Sequence, residues 1–142
     1  MKGYQRQKEA GMTAAMEDYL EMICRLQQTQ KVVRIHQLAE HLHVKASSAS
    51  KMVQNLKKEG YLEFEKYGYL TITEKGRQMG QYLLRRHQIL HAFLCYINHS
   101  ESELTQVEKI EHFIEPETVY HLESWMKKEI EPKKTKDAPK IP

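Results

Sequence analysis

The fold is decided by the stretch IHQLAEHLHVKASSASKMVQNLKKEG at residues 35–60. Apolar residues recur in it at helical spacing in two blocks, first Ile35, Leu38, Ala39 and Leu42, then Ala49, Met52, Val53 and Leu56. A short turn at residues 43–45 separates the blocks, and Gly60 takes the position after a helix where glycine is favoured. The stretch therefore predicts a pair of short helices, the second over residues 46–59.

The outward face of the second helix carries small hydroxyl groups, an amide and lysines. Such side chains on the exposed turns of a helix suit entry into the major groove and bonds to base edges and phosphates. The alternative is that this face is the ordinary surface of a helical bundle. The predicted DNA contacts are Ser47, Ser48, Ser50, Lys51, Gln54 and Lys57, together with Lys66 from the segment that follows.

That segment, LEFEKYGYLTIT at residues 62–73, alternates apolar and polar residues on both sides of Tyr67-Gly68. The alternation predicts a β-hairpin. Helix, turn, helix and hairpin follow one another in the order of a winged helix-turn-helix. We therefore predict a mainly α fold, with an N-terminal winged helix-turn-helix followed by a helical lobe.

A helix precedes this core and a longer one follows it. Thr13 can cap the first helix, which we expect to run to about Gln28. Its polar side carries Glu17, Asp18, Glu21 and Arg25, charges that by themselves indicate a solvent-facing surface. The long helix after Thr73 has apolar residues on more than one face, so it must be packed on two sides.

Composition limits the class of protein. The chain has 142 residues, of which 40% are hydrophobic and 29% charged, which excludes a disordered protein. No apolar run approaches the roughly 20 residues that span a bilayer, and no signal peptide opens the chain, so we expect a cytoplasmic protein without membrane contact. Cys24 and Cys95 lie far apart in sequence, and we expect both to be reduced and buried. The net charge of +3 permits nucleic-acid binding without requiring it.

The pentapeptide Glu108-Lys109-Ile110-Glu111-His112 carries two carboxylates and an imidazole. Residues three and four apart share a helix face, so Glu108, Glu111 and His112 form a ligand set for a cation. The alternative is a solvated acidic helix with a chance histidine. His87, on the inward stripe of the long helix, has a similar ambiguity, because a core histidine is the default interpretation for such a position.

Several spaced motifs resemble one family. They are MEDYLE at residues 16–21, SSASKMVQ at 47–54, the Arg86-His87 step and VEKIEH at 107–112. Their order closely resembles that of the manganese transport regulators, the short members of the diphtheria toxin repressor superfamily of metal-dependent transcriptional repressors. The resemblance covers roughly residues 12–131. It implies a homodimer with two manganese ions per subunit between a winged helix and a dimerisation lobe, held by Asp18, Glu21, His87, Glu108, Glu111 and His112.

The resemblance also implies a domain layout and a mechanism. We expect a flexible tail at 1–12, the DNA-binding domain at 13–73, a connecting helix at 74–98, the helical dimerisation and metal-binding lobe at 99–131 and a second tail at 132–142. Manganese would neutralise the self-repelling carboxylates and fix a dimer geometry that binds operators of manganese uptake genes. The ion is then a corepressor, and neither catalysis nor an organic cofactor is expected.

The ligand types favour manganese. The iron-responsive branch has a methionine and a cysteine where this sequence has Asp18 and Glu108, and hard oxygen ligands suit Mn²⁺. There are two departures from the family pattern: Ala46 stands in place of a proline, and Phe113 in place of a second histidine.

Two other functions use the same residues differently. Four carboxylates and two histidines also match a di-metal carboxylate helical enzyme, although that class takes Glu-x-x-His motifs from a pair of helices. A winged-helix repressor that senses an organic ligand, or an oxidant through Cys24 or Cys95, would leave the acidic cluster unexplained.

Overall fold

The computed structural model describes residues 12–65 and 68–130. Its helices are α1 Ala14–Thr29, α2 Ile35–Leu42, α3 Ala46–Lys58, α4 Glu74–Asn98, α5 Leu104–Ile110 and α6 Pro116–Glu129, with a 3-10 turn at Glu111–Phe113. Its strands are β1 Val33–Arg34, β2 Leu62–Phe64 and β3 Tyr69–Ile72. The chain divides into two compact units, and the boundary between them falls inside α4, between Leu84 and Arg85.

Helix α1 begins as the sequence predicts. The side-chain oxygen of Thr13 accepts a hydrogen bond of 3.1 Å from the backbone N–H of Met16, which caps the helix. The predicted apolar stripe is buried, but so is Glu17, which has no exposed surface. The placement of Glu17 on the polar side was wrong. The residue lies next to Met16 at the edge of the buried stripe, and its charge helps to raise the pKa of Tyr61, after burial and Glu59.

Helices α2 and α3 form the predicted pair. Helix α2 ends at Leu42, and the next residue, His43, has a left-handed φ of 56°. The backbone N–H of Val44 then donates a hydrogen bond back to the carbonyl of Ala39. The reversal lets α3 begin at Ala46, and its buried residues are Ala49, Val53 and Leu56. Gly60, with φ of 86°, follows the end of α3 as expected.

A three-stranded antiparallel sheet follows, in the order β1-β3-β2. The hairpin of β2 and β3 places Leu62 opposite Ile72 and Phe64 opposite Leu70, which confirms the predicted alternation. Strand β1 pairs with β3 through Val33 and Leu70, a pairing that no sequence pattern predicted. Lys66, one of the predicted DNA contacts, lies outside the described residues.

Each unit has its own hydrophobic core. The core of the first unit joins α1, α2, α3 and the sheet, with Met79 and Leu83 contributed by α4. In the second unit Leu90 and Leu94 of α4 pack with Val107 of α5. Met79, Leu83, Leu90 and Leu94 lie on one stripe of α4, so one side of the helix contributes to both cores, and packing on a second side stays a prediction. Within the described residues, no helix is long and apolar enough to cross a membrane.

Candidate metal centre and DNA-binding face

The ligand-rich pentapeptide crosses the end of α5. The sequence predicts one α-helical face, but α5 ends at Ile110 and Glu111–Phe113 form a 3-10 turn. Glu115, directly before Pro116, is extended with ψ of 149°, as expected because that position disfavours a helical backbone. Glu111 is buried at 3% exposure and His112 is half-buried, whereas Glu108 is exposed.

His87 of α4 lies against Glu111. Its Nδ1 atom is 3.5 Å from Oε1 of Glu111, and the two side chains are 13% and 5% exposed. Both atoms are buried, and neither has a hydrogen-bond partner among the residues that the structure describes. Two buried polar atoms that face each other without a hydrogen bond fit a shared cation, since buried polar groups are otherwise almost always hydrogen-bonded.

Arg86 is the buried cation of this cluster. It has no exposed surface, and its Nη2 atom is 3.8 Å from Oε1 of Glu111 and 3.3 Å from Nδ1 of His112. The sequence analysis treated Arg86 only as part of a family motif. The signal that could have found it is Glu111 itself, because a carboxylate on the core side of a helix requires a positive partner.

The two predicted ligands of α1 have different surroundings. Asp18 is exposed. Glu21 is half-buried, and its Oε2 atom accepts hydrogen bonds of 3.2 and 2.7 Å from Nε and Nη2 of Arg25. Glu21 is thus paired with a basic neighbour one helical turn away.

Helix α3 presents the predicted polar face. Ser47, Ser48, Lys51, Gln54 and Lys57 are exposed, and Ser50 is half-buried. Lys45 gives the helix no side-chain cap. The first N–H groups of α3 can therefore bond a phosphate, as the positive end of a helix dipole favours.

The sheet beside α3 adds an arginine that the sequence analysis missed. The Nη2 atom of Arg34 donates a hydrogen bond of 2.9 Å to the hydroxyl of Tyr69, and its guanidinium lies 4.4 Å from the centre of that ring. Arg34 is on β1 and Tyr69 on β3, paired in register. Arg34 belongs to the sheet because β1 pairs with β3 of the hairpin, and its positive charge therefore lies beside Tyr69.

Two family models match the chain. Residues 11–70 match the N-terminal DNA binding domain of the iron dependent repressors, and residues 73–142 match their metal binding and dimerisation domain. The chain is also 46% identical over 103 residues to the HTH-type transcriptional regulator MntR of Listeria welshimeri, covering 72% of each chain. The chain belongs to the MntR family of metal-dependent transcriptional repressors. The MntR regulator of Geobacillus kaustophilus is equally similar, at 46% over 72% of this chain and 73% of its own.

Solved structures agree with the MntR assignment. The manganese regulator SloR is 28% identical, with a TM-score of 0.70 over 82% of this chain and 55% of its own. A manganese-dependent transcriptional repressor in complex with manganese is 28% identical, with a TM-score of 0.69 over 77% of this chain and 51% of its own. The chain thus spans about half the length of these two proteins.

The comparisons bear on the predicted fold and function. A mainly helical chain with a DNA-binding domain followed by a dimerisation domain is confirmed. The likenesses support a manganese-dependent transcriptional repressor, and none of them favours the di-metal enzyme or the sensor of an organic ligand or oxidant.

Proposed function

We propose that the chain is a homodimeric repressor that binds operator DNA when Mn²⁺ occupies its carboxylate–histidine cluster. The observation that carries this proposal is the buried pair of Nδ1 of His87 and Oε1 of Glu111, 3.5 Å apart, neither of which has a hydrogen-bond partner among the described residues. A structural core histidine would instead donate or accept a hydrogen bond.

The proposed ligands are those that the family motifs mark: Asp18, Glu21, His87, Glu108, Glu111 and His112. Four carboxylates and two imidazoles supply enough donors for two ions per subunit, and oxygen-rich sets suit Mn²⁺. Residues 18 and 21 are far from residues 87–112 in the sequence, so an ion that uses both groups constrains distant segments of the chain. Loaded with metal, the cluster supplies a structural corepressor rather than a catalytic centre.

Charge explains how the ion acts. A group of ionised carboxylates repels itself, and divalent ions remove that repulsion. The protein can then populate the geometry that fits DNA, because a ligand shifts an equilibrium towards the state that it binds more tightly. In that geometry α3 of each subunit would enter the major groove of one half-site, with half-sites about one helical turn or a multiple apart.

Exposed apolar side chains in the second unit support the homodimer. Phe113 is 82% exposed, and Tyr96 and Ile97 are 48% and 46% exposed. Leu104, Tyr120 and Trp125 are also exposed there by more than two fifths. Large apolar residues concentrated in this way mark an interface, and a second copy of the chain is the occupant that the dimerisation domain implies.

The target genes follow from the resemblance: we propose that they encode manganese uptake and are shut off when the ion is plentiful. The proposed partner is operator DNA, so we propose that the repressor acts in the cytoplasm, where that DNA lies. A DNA-binding titration by fluorescence anisotropy, with upstream DNA of metal-transporter genes, tests the proposal with and without Mn²⁺.

Glu111→Gln removes a proposed ligand at nearly constant volume, and Glu117→Gln alters an exposed glutamate of α6 as a matched control. We expect Mn²⁺ to promote DNA binding by the wild type and by Glu117→Gln but not by Glu111→Gln. DNA binding that is the same with a chelator as with Mn²⁺ would refute the proposal.

A further inference from the structure

Arg86 and His112 make a contact whose chemistry restricts the metal ligand. The Nη2 atom of Arg86 lies 3.3 Å from Nδ1 of His112. A guanidinium has only donors, so Nδ1 must be the acceptor in this hydrogen bond. A neutral imidazole has one nitrogen that carries a proton and one with a free lone pair. The proton of His112 is therefore on Nε2, and its single lone pair is used by Arg86.

This hydrogen bond and metal coordination by His112 exclude each other. An ion on Nδ1 would need the lone pair that Arg86 occupies. An ion on Nε2 would need the proton to leave Nε2, and the ring could regain one only on Nδ1, where Arg86 already donates. Either ring nitrogen can bind a metal only after the guanidinium has released His112.

The positive charge of Arg86 also opposes metal binding. Its Nη2 atom is 3.8 Å from Oε1 of Glu111, and its side chain has no exposed surface. A buried cation at this distance partly neutralises Glu111 and repels a second cation that approaches the same carboxylate. Water does not screen a contact between two buried groups as it screens a surface pair.

We infer that Arg86 competes with the metal ion for its ligands. Its side chain uses the lone pair of His112 and neutralises part of the charge of Glu111. Arg86 thereby sets the Mn²⁺ concentration at which the repressor responds. The inference rests on the proposed function, because it takes Glu111 and His112 as ligands. Arg86 is then a positioning residue that raises the threshold for activation, and metal binding must include its displacement from His112.

Calorimetric titration with Mn²⁺ tests this inference on three variants of the full chain. Arg86→Met removes the charge and the donor while it fills similar space, and Arg86→Lys keeps the charge. Arg85→Met is the matched control, since the adjacent Arg85 is half-exposed and pairs with Glu123 of α6. Removing a buried positive charge beside a carboxylate ligand removes an electrostatic repulsion that opposes the incoming ion.

We therefore expect Arg86→Met to bind Mn²⁺ at least about tenfold more tightly than the wild type, because both the charge beside Glu111 and the hydrogen bond to His112 are removed, with half-maximal DNA binding at a correspondingly lower Mn²⁺ concentration. Arg86→Lys and Arg85→Met should stay near the wild-type affinity. Equal or weaker binding by Arg86→Met, with the wild type binding normally, would overturn the inference and leave the proposed function intact. A wild type that takes up no Mn²⁺ would overturn both.

A measurement on the wild type decides the matter even if Arg86→Met does not fold. Long-range ¹H–¹⁵N spectra of the histidine rings, recorded after treatment with a chelator, report which nitrogen of His112 carries the proton. We expect a protonated Nε2 and a bare Nδ1. A proton on Nδ1 of His112 would contradict the hydrogen bond from Arg86 and with it the inference.

Discussion

The thiol of Cys24 on α1 packs directly against the backbone of Gly80 on α4. A methyl group at position 80 would overlap the Sγ atom of Cys24. The Cβ atom of Cys24 would lie 3.4 Å from that methyl group, which is an ordinary contact distance. Gly76, one turn earlier, has a different neighbour: a methyl group there would overlap the backbone carbonyl oxygen of Tyr61. Both glycines are inside α4 because two elements approach it closely.

The contact between Cys24 and Gly80 predicts a rescue. Gly80→Ala should destabilise the protein by about 1–3 kcal/mol through overpacking, although alanine is the better helix former. Adding Cys24→Ala removes the overlapping sulfur, so the double variant should regain most of the lost free energy of unfolding. Urea unfolding of the wild type, both single variants and the double variant measures the coupling.

Gly76→Ala is the matched comparison, because its obstacle is backbone that no side-chain change can remove. It should stay destabilised when Cys24→Ala is added. Additive effects of Gly80→Ala and Cys24→Ala would show that the thiol is not the obstacle at position 80.

The second prediction concerns the ionisation of Cys24. Burial, with a smaller contribution from Glu21, raises the pKa of this thiol to about 11. The unfolded chain loses the proton at lower pH than the folded chain, so the stability that Cys24 contributes is present below pH 9 and is lost as pH rises towards 11. Between pH 9 and 11 the free energy of unfolding should therefore fall less steeply in Cys24→Ala than in the wild type. Parallel pH profiles for the two proteins would contradict a buried, protonated thiol.

The third prediction separates two roles on α3. Gln54 and Lys51 are both exposed on the polar face. Gln54→Ala should relax the preference for particular bases, because an amide reads base edges, while Lys51→Ala should weaken binding to all sequences and reduce its salt dependence. Anisotropy titrations against operator and random DNA at several salt concentrations distinguish them. An equal loss on both DNAs for Gln54→Ala would count against base reading.

The fourth prediction concerns selectivity among metals. Affinity for divalent ions normally rises from Mn²⁺ towards Cu²⁺, so a manganese response must come from geometry and the number of ions rather than from tightness. Zn²⁺ prefers four ligands in a tetrahedron and would leave the second position poorly formed. Zinc should bind at least as tightly as manganese and yet activate DNA binding less. Full activation by one Zn²⁺ per subunit, in paired calorimetry and anisotropy, would refute this account.

A fifth prediction changes the donors themselves. Asp18→Met combined with Glu108→Cys introduces the ligand types of the iron-responsive branch, a thioether and a thiolate. Because these donors are softer, activation of DNA binding should shift towards Fe²⁺ or Co²⁺. Glu101→Cys alone, at an exposed glutamate outside the cluster, serves as the control for an added thiol. An unchanged metal preference in the first variant would remove these two residues from the site.

The helix pair and the hairpin could be predicted because their signals are local. Apolar spacing, the cap at Thr13 and the left-handed Gly60 each depend on a few neighbouring residues. The pairing of β1 with β3 depends on residues 33 and 70, far apart in sequence, and no local pattern reports it. Gly76 and Gly80 likewise look unfavourable in a helix until the partners that pack against them are known.

In the candidate site, too, some features could be predicted from the sequence and others could not. Spacing and ligand chemistry predict Glu108, Glu111 and His112 as ligands on one regular helix, but the structure changes from an α-helix to a 3-10 turn at Glu111. The burial of Arg86 could not be predicted, since Arg85 and Arg86 are adjacent and equally basic in sequence. Only the packing leaves one half-exposed and the other without exposed surface.

The end of α3 is joined to the start of α4 by several direct bonds. The side-chain oxygen of Thr73 donates to the carbonyl of Gly60 at 2.6 Å and accepts from the N–H of Gly76 at 3.0 Å, while the ammonium of Lys75 donates to the carbonyl of Glu59 at 2.7 Å. These bonds leave no flexible linker between the two helices. A force that bound DNA exerted on α3 would therefore be transmitted to the first turn of α4. Helix α4 continues unbroken to His87, about three and a half turns further on. The proposed DNA-binding face and the proposed ligand His87 are thus connected through one helix, and if Mn²⁺ increases the affinity for DNA, then DNA must increase the affinity for Mn²⁺ by the same factor.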